Sequence, residues 1–555
     1  MAESFTEEEK RLIEPFFTNL DRDIFVLKNL PEVVKGALFS RYSRSAKSLR
    51  RVLLDEFINR PEMDFKSIAG QKSSAEDIVA IRKAEEFYDR ILVGFGDDSV
   101  GELGGAHIAV ENVSQIAAKA LEDSRIGISP LEKSTRYVRF DDKENGRWKY
   151  YPEPKIMSSE FAELYARTCD MLFSLYSSLI EPMLGYVRQR FPLDDFEFFS
   201  QKDGRNIRFR DIADEALKKR AQIAYNSSVK AFALDVLRVI LPAGTLTNLG
   251  LYGNGRAFEY LLVKMHANNL SEIKNTAKGM QDELMKCIPS FVKRADDMYG
   301  KAFQKYVAET SESIENISET IGSSIGGKEA ELVEYDEEAE KKIAAAILYS
   351  KSHLDMKKAI ETVSNMGEGE IRGIIAKYLE KRQNRRHKAG RALEHAAYTF
   401  DILADFGLYR DLHRHRMLTQ ERQLLTCFHG YEVPKEIKEA GFDKQFTEAM
   451  EQAKEAWKKI YEKFPHEAQY VVPMSYKIRW YMRMSLREAF HMIELRTMPQ
   501  GHESYRRVCQ QMHQRIKEVH PFLAGQMKFA DLNEYFLGRM KSEMRNEEKR
   551  ERVGL

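Results

Sequence analysis

Two short runs hold most of the side chains in this chain that could do chemistry. One is HRHRMLTQERQLLTCF, which carries Arg414, His415 and Arg416; the other is SRIGISPLEKSTRYVRF, which carries Glu132, Lys133, Ser134, Thr135, Arg136 and Tyr137. Guanidinium groups at this density suit a phosphate or pyrophosphate, because Arg presents a rigid fork that makes bidentate, charge-assisted hydrogen bonds. The two runs are also copies of each other. Placing Ser124 on Arg414 places Arg136 on Thr426, an offset of 290 in both cases. LRVILP around Arg238 matches AQYVVP around Gln469, Arg256 matches Arg487, and Met265 matches Arg496, all at an offset of 231. The chain therefore reads as a tandem duplication in which the first copy has 59 extra residues (290 less 231) between the two blocks.

The elements that must position these groups can be read from apolar spacing. Phe161, Leu164, Met171, Leu172 and Leu175 mark one helix, and Ala257, Leu261, Leu262 and Met265 another. Phe446, Met450, Ala453, Trp457, Ile460 and Phe464 form a stripe at spacings of three and four that stops before Pro465. Shorter β-like runs, His107–Val110 and Ala397–Ile402, each lead into a helix expected to carry the motif. Helices around a modest sheet indicate an α+β (mixed α/β) class. The expected organisation is a first repeat over residues 1–308 with an insertion at about 141–200, a linker over 309–340 where Ser, Glu and Gly crowd out large apolar residues, a second repeat over 341–530, and a charged tail over 531–555 that frays.

Composition narrows the function classes. At 555 residues the chain can bury more than one core, and a net charge of +1 argues against a broad nucleic-acid binder while leaving room for a local cationic pocket. Cys169, Cys287, Cys427 and Cys509 lack CxxC spacing, so neither a zinc knuckle nor a disulfide framework is expected. The acidic start MAESFTEEEKRLIEPFF lacks a basic flank followed by an apolar core, and no apolar run reaches membrane-spanning length, so a cytoplasmic protein without a membrane partner is expected.

Read together, the two runs resemble the motif of the flavin-dependent thymidylate synthases, roughly RHRxxSxxExSxRY, split between the copies. That resemblance implies a mixed sheet flanked by helices, and a chain with two such repeats would be a pseudo-dimer whose homodimer equals the family's four subunits. It implies FAD, with methylenetetrahydrofolate and NADPH as co-substrates, and conversion of dUMP to dTMP. Arg414, His415 and Arg416 fall on the family's flavin-binding positions, with Arg414 also reaching the nucleotide. Glu132, Ser134, Arg136 and Arg238 fall on nucleotide-binding positions. Arg496 falls on the arginine that favours ionisation of the pyrimidine at N3. Ser99, Asn254 and Arg256 fall on further flavin contacts. Each copy lacks what the other keeps: Ser124, Arg125, Ile126 and Met265 replace one set, and Arg422, Leu424, Thr426 and Gln469 the other. One composite site per chain is expected where a homodimer would have two.

Departures from the pattern keep alternatives open. Asp411 stands where the family tends to have Gln, Asp97 where it usually has His, and Tyr260 where Asn is usual. A flavoenzyme acting on another pyrimidine nucleotide, or an inactive homologue that only binds nucleotide or flavin, are the competing readings. Each motif also has an ordinary structural explanation. RHR alone is most often a solvated basic face, and STRY alone is a common string. Gly250, Gly253 and Gly255 lack a phosphate-loop pattern. His413 and His415, two residues apart, point to different helix faces, so no metal site is expected. His395, His491 and His502 read as structural.

Overall fold

A computed structural model describes residues 5–43, 45–59, 101–124, 126–318, 320–322 and 324–552. In the first copy, strand β1 (Gly105–Ser114) runs into helix α1 (Gln115–Glu122) and then strand β2 (Ile128–Glu132). The long helices α2 (Ala162–Arg190) and α3 (Glu215–Leu237) follow, then strand β3 (Leu246–Asn254) and helices α4 (Gly255–His266) and α5 (Met298–Ser318). In the second copy, strand β4 (Ala330–Tyr335) precedes β5 (Ala397–Asp405), helix α6 (Phe406–Leu412) and strand β6 (Thr419–Arg422). These are followed by helix α7 (Asp443–Tyr461), strand β7 (Lys477–Ser485), helices α8 (Leu486–Arg496) and α9 (Glu503–Val519), and α10 (Met540–Arg552).

The two rulers found in the sequence fit these elements. Adding 231 to β3 gives β7 residue for residue, and the same side chains face inward: Thr247, Leu249 and Leu251 in one, Ile478, Trp480 and Met482 in the other. That alternation is the period of a strand with one buried face. Helix α7 buries the stripe Phe446, Met450, Ala453, Trp457 and Ile460, as its spacing predicts.

The described residues fall into two compact units. One is drawn from Met1–Val113, Ala117–Glu132 and Thr247–Gly322, the other from Ser114–Ile116, Lys133–Leu246 and Ser323–Leu555. The first contains a three-stranded sheet of order β1-β3-β2, over which Ile128, Leu251 and Phe258 are buried. The second contains a four-stranded antiparallel sheet of order β6-β7-β5-β4, with Trp480 of β7 opposite Ile402 of β5. The segment Lys133–Leu246, which comes from the first copy, belongs to the same unit as the second copy.

Within that second unit the matching LRVILP and AQYVVP blocks meet through reciprocal backbone hydrogen bonds. The Ala243 N–H donates to the Val472 carbonyl at 2.8 Å and the Met474 N–H to the Leu241 carbonyl at 2.9 Å. Gly244 donates to Tyr470 and Ser475 to Val239, both at 2.8 Å. Each bond becomes its partner on exchanging residues 231 apart, which is the signature of an isologous, two-fold contact inside one chain. Gly244 is required there, because a Cβ would stand 2.8 Å from the Tyr470 carbonyl oxygen.

Three expectations are corrected. The span 309–340 is not wholly a solvated connection: α5 continues to Ser318, and β4 pairs with β5, Leu332 opposite Phe400. The described part of the tail, to Arg552, is not a frayed end: α10 packs on α3, burying Met540 and Glu543, and Arg220 pairs with Glu551 at 2.9 Å. The RHR motif is not on a helix, since α6 ends at Leu412 and residues 413–416 form the turn that leads into β6. The Gln420 side-chain amide holds that turn, donating to the His413 carbonyl at 2.9 Å and the His415 carbonyl at 3.4 Å. Among the described residues no helix is long and apolar enough to cross a membrane.

Candidate functional site

The second unit gathers guanidinium groups from both copies around one carboxylate. Asp411, in the last turn of α6, accepts from Arg136 Nη2 at 2.9 Å and from Arg238 Nη2 at 3.0 Å. Asp235, near the end of α3, lies 3.1 Å from Arg136 Nε and 3.6 Å from Arg238 Nη1. Arg238 also donates to Thr135 Oγ1 at 3.3 Å, and the Arg136 backbone N–H donates to Ser134 Oγ at 3.3 Å. Burial alone would push the Asp411 carboxyl up, but Arg136, Arg238, Arg414 and Arg496 overcome it and hold the group well below the usual carboxylate range. Two of these arginines come from the first copy and two from the second.

Tyr505, at the start of α9, lies between the two sets. Its hydroxyl accepts from Arg136 Nη1 at 3.3 Å, and the guanidiniums of Arg136 and Arg496 sit 5.1 and 5.5 Å from its ring centroid. Arg496 Nε donates to His415 Nε2 at 2.9 Å, and His415 Nδ1 lies 2.9 Å from Glu488 Oε1. Burial, Arg496 and His491 hold the His415 ring well below the ordinary histidine value. His415, Glu488 and His491 bring one potential metal-ligand atom each within 4.8 Å of one another, so the histidine neighbour of His415 that matters is His491 and not His413.

A cavity of about 350 Å³ opens beside this cluster, lined by Asp235, Arg238, Asp405, His502, Arg506 and Arg539 among others. Its volume falls in the range of small-molecule sites. His502 is neutral at ordinary pH, its pKa lowered to about 4 chiefly by burial. Arg539 comes from the tail; its guanidinium stacks on the Tyr137 ring, 4.8 Å from the centroid, and burial and the nearby Arg136 both lower its pKa.

The remaining predicted residues lie elsewhere or in different roles. Arg416 is exposed on the turn after α6, as is Arg414, which acts on Asp411 from there. Glu132, Asn254 and Arg256 belong to the first unit. The Glu132 carboxylate is buried against Lys119, 3.1 Å away, and Lys119 also pairs with Glu122. Asn254 caps α4, accepting from the Ala257 N–H at 2.8 Å, and Arg256 pairs with Glu102 at 3.1 Å on the surface. Ser99 lies outside the described residues. Asp235, Tyr505, Glu488 and Arg539 were not singled out from sequence, and no local spacing marks them.

The duplication shows that a second such cluster is gone. At offsets of 290 and 231, Asp411, Arg414, Arg496 and Tyr505 correspond to Leu121, Ser124, Met265 and Lys274, while Arg136 and Arg238 correspond to Thr426 and Gln469. Gln469 has become structural, its Oε1 accepting from the Leu425 N–H at 3.1 Å.

The family described as thymidylate synthase complementing protein matches residues 47–290 and 331–522. A UPF0159 protein of Chlamydia muridarum is 44% identical over 546 residues, covering 98% of both chains. A UPF0159 protein of Thermoplasma acidophilum is 34% identical over 518 residues, covering 92% of this chain and 98% of its own. Among solved structures, a UMP/dUMP methylase, PolB from Streptomyces cacaoi, bound with 5-Br dUMP, is 18% identical, with a TM-score of 0.29, over 37% of this chain and 96% of its own.

Proposed function

Since the chain belongs to the thymidylate synthase complementing protein family, we propose that its second compact unit binds a pyrimidine deoxynucleotide monophosphate and methylates it, converting dUMP to dTMP with methylenetetrahydrofolate, NADPH and FAD. The observation that carries this reading is the meeting of Arg136 and Arg238 from one copy with Arg414 and Arg496 from the other around Asp411. Four guanidiniums against the carboxylates of Asp411 and Asp235 leave two positive charges, which suits a phosphomonoester carrying about −1.5 to −2 at neutral pH. The adjacent cavity gives the nucleotide room.

In this reading Arg136 and Arg238, with Ser134 beside them, hold the phosphate and sugar. Their aim is fixed in advance by Asp235, Asp411, Thr135 and Tyr505, so little ordering is left for substrate to impose. Arg496 faces the pyrimidine and stabilises negative charge at N3, which makes the ring carbon a better nucleophile. Arg414 would help to hold both nucleotide and flavin. The donor set would fit a flavin at Arg414 and Arg416, two arginines on one exposed turn whose type matches an anionic pyrophosphate. It does not fit at His415, whose ring is buried between Glu488 and Arg496, so that residue is not counted among the flavin ligands. A reduced flavin held there would supply the hydride that completes the new methyl group.

Purified protein incubated with FAD, NADPH, methylenetetrahydrofolate and dUMP tests the proposal. Formation of dTMP is expected, together with a flavin absorbance band that survives gel filtration; protein that takes up no flavin and makes no dTMP would sink it. A second reading, action on a different pyrimidine nucleotide, is favoured by the bond between Asp411 and both phosphate-facing arginines where the family tends to have Gln. Mass analysis of products from a panel of pyrimidine nucleotides separates the two. The chain is further proposed to pair as a homodimer, which light scattering would detect at about twice 64.4 kDa.

A further inference from the structure

Behind Arg496 stands a hydrogen-bonded chain that the phosphate-facing cluster does not use. A guanidinium can only donate, so the 2.9 Å contact from Arg496 Nε requires a bare lone pair on His415 Nε2. The ring proton must then sit on Nδ1, 2.9 Å from Glu488 Oε1, which accepts it. The other tautomer would aim an N–H of the ring at the N–H of Arg496. We propose that Glu488 is a positioning residue: by selecting the Nδ1–H tautomer of His415 it holds the Arg496 guanidinium in one orientation, with the Tyr505 ring closing the other side.

The duplication supplies an internal comparison. Glu488, His415 and Arg496 correspond to Ala257, Arg125 and Met265 in the first copy. Where the guanidinium is gone, both groups that would orient it are gone too. A buried carboxylate next to a buried neutral ring is costly unless each satisfies the other, so its presence in the one copy that keeps Arg496 asks for a reason. The relay gives it one.

A metal held by His415, Glu488 and His491 is the competing use of the same atoms. The charges around them oppose it. Arg487 and Arg496 on α8, and Lys388 and Arg385 on the loop before β5, all act on Glu488 or His491, so a divalent ion would enter an already cationic pocket. The ring would also have to coordinate metal through Nδ1 in place of donating its proton.

The inference rests on the reading of Arg496 as the group that faces the pyrimidine, and its test has an arm that does not depend on turnover. The ¹⁵N shifts of His415, recorded at neutral pH in wild-type protein, should show a protonated Nδ1 and a bare Nε2. Glu488→Gln, whose carbonyl can still accept, should keep that tautomer and wild-type kinetics. Glu488→Ala should lose the tautomer preference and lower kcat by about 100-fold, the scale of a misaligned catalytic group, with the nucleotide KM little changed because the phosphate contacts lie elsewhere. A wild-type ring protonated on Nε2 or on both nitrogens overturns the proposal. So does a stoichiometric metal on His415, an unchanged kcat in Glu488→Ala, or a loss confined to KM. If the protein turns over no nucleotide at all, the function reading fails while the ring shifts still decide the relay.

Discussion

Asp411→Asn probes the electrostatics of the site directly. The wild-type carboxylate takes one hydrogen bond from each phosphate-facing arginine, at 2.9 and 3.0 Å, and four guanidiniums keep it ionised. Asn preserves the shape and one acceptor but removes the charge. A carboxylate about 5 Å from one unit of phosphate charge, at an effective dielectric near 20, repels that charge by roughly 3 kcal/mol. Weaker aiming of the two arginines by a neutral acceptor offsets part of that, so dUMP should bind about tenfold more tightly, equal to about 1.4 kcal/mol. Without ligand the variant should be less stable by about 3 kcal/mol, because buried guanidiniums lose a counterion. At one saturating dUMP concentration it should recover about 1.4 kcal/mol more than wild type does. Calorimetric titration of dUMP and urea unfolding with and without dUMP measure both. A dUMP affinity that weakens tenfold or more would refute the reasoning, since the aim that Asp411 gives the arginines would then outweigh its repulsion of the phosphate.

Three further outcomes follow from the same structure. Arg539→Ala should raise the nucleotide KM severalfold with kcat nearly unchanged, because the guanidinium lines the cavity beside Arg238 without facing the base; steady-state kinetics checks this, and a fall in kcat alone would contradict it. Burial raises the Asp405 pKa from 3.8 to about 6 even though the carboxylate caps α6 through the Leu408 N–H. The folded protein therefore holds a proton that the unfolded chain releases between about pH 4 and 6, and this group lowers stability as pH rises through that window. Asp405→Asn should remove that slope and stabilise the protein above pH 6 by up to about 3 kcal/mol, as urea midpoints against pH would show. Tyr505→Ala should impair both arginine sets at once, raising KM and lowering kcat together, whereas Tyr505→Phe keeps the ring and should cost mainly KM.

How much of this could be read from sequence depends on the distance over which each feature is encoded. The duplication with its offset of 231 and the apolar stripe of α7 are local patterns, so they were legible. Arg136, Arg238, Arg414 and Arg496 were legible because each copy marks the gap in the other. Asp235, Tyr505 and Glu488 were not. Tyr505 meets Arg136 across 369 residues of chain, and no spacing rule reaches that far. The tail was misread because KSEMRNEEKRERVGL is charged on most faces; α10 packs on α3 through few buried residues, Met540 and Glu543 among them, too few to show as a stripe. The RHR turn was misread as helical because its stop signal is tertiary, an amide from Gln420 seven residues on.

The account stands on Arg136 and Arg496 serving one nucleotide from within one chain. Arg136→Ala and Arg496→Ala proteins, each purified alone and then mixed under conditions that allow subunits to exchange, test this in a dTMP-formation assay. The account predicts that each variant is inactive and that the mixture stays inactive, because no chain in it holds both groups. Activity returning on mixing would contradict it, by showing that the arginines on a working site come from different chains.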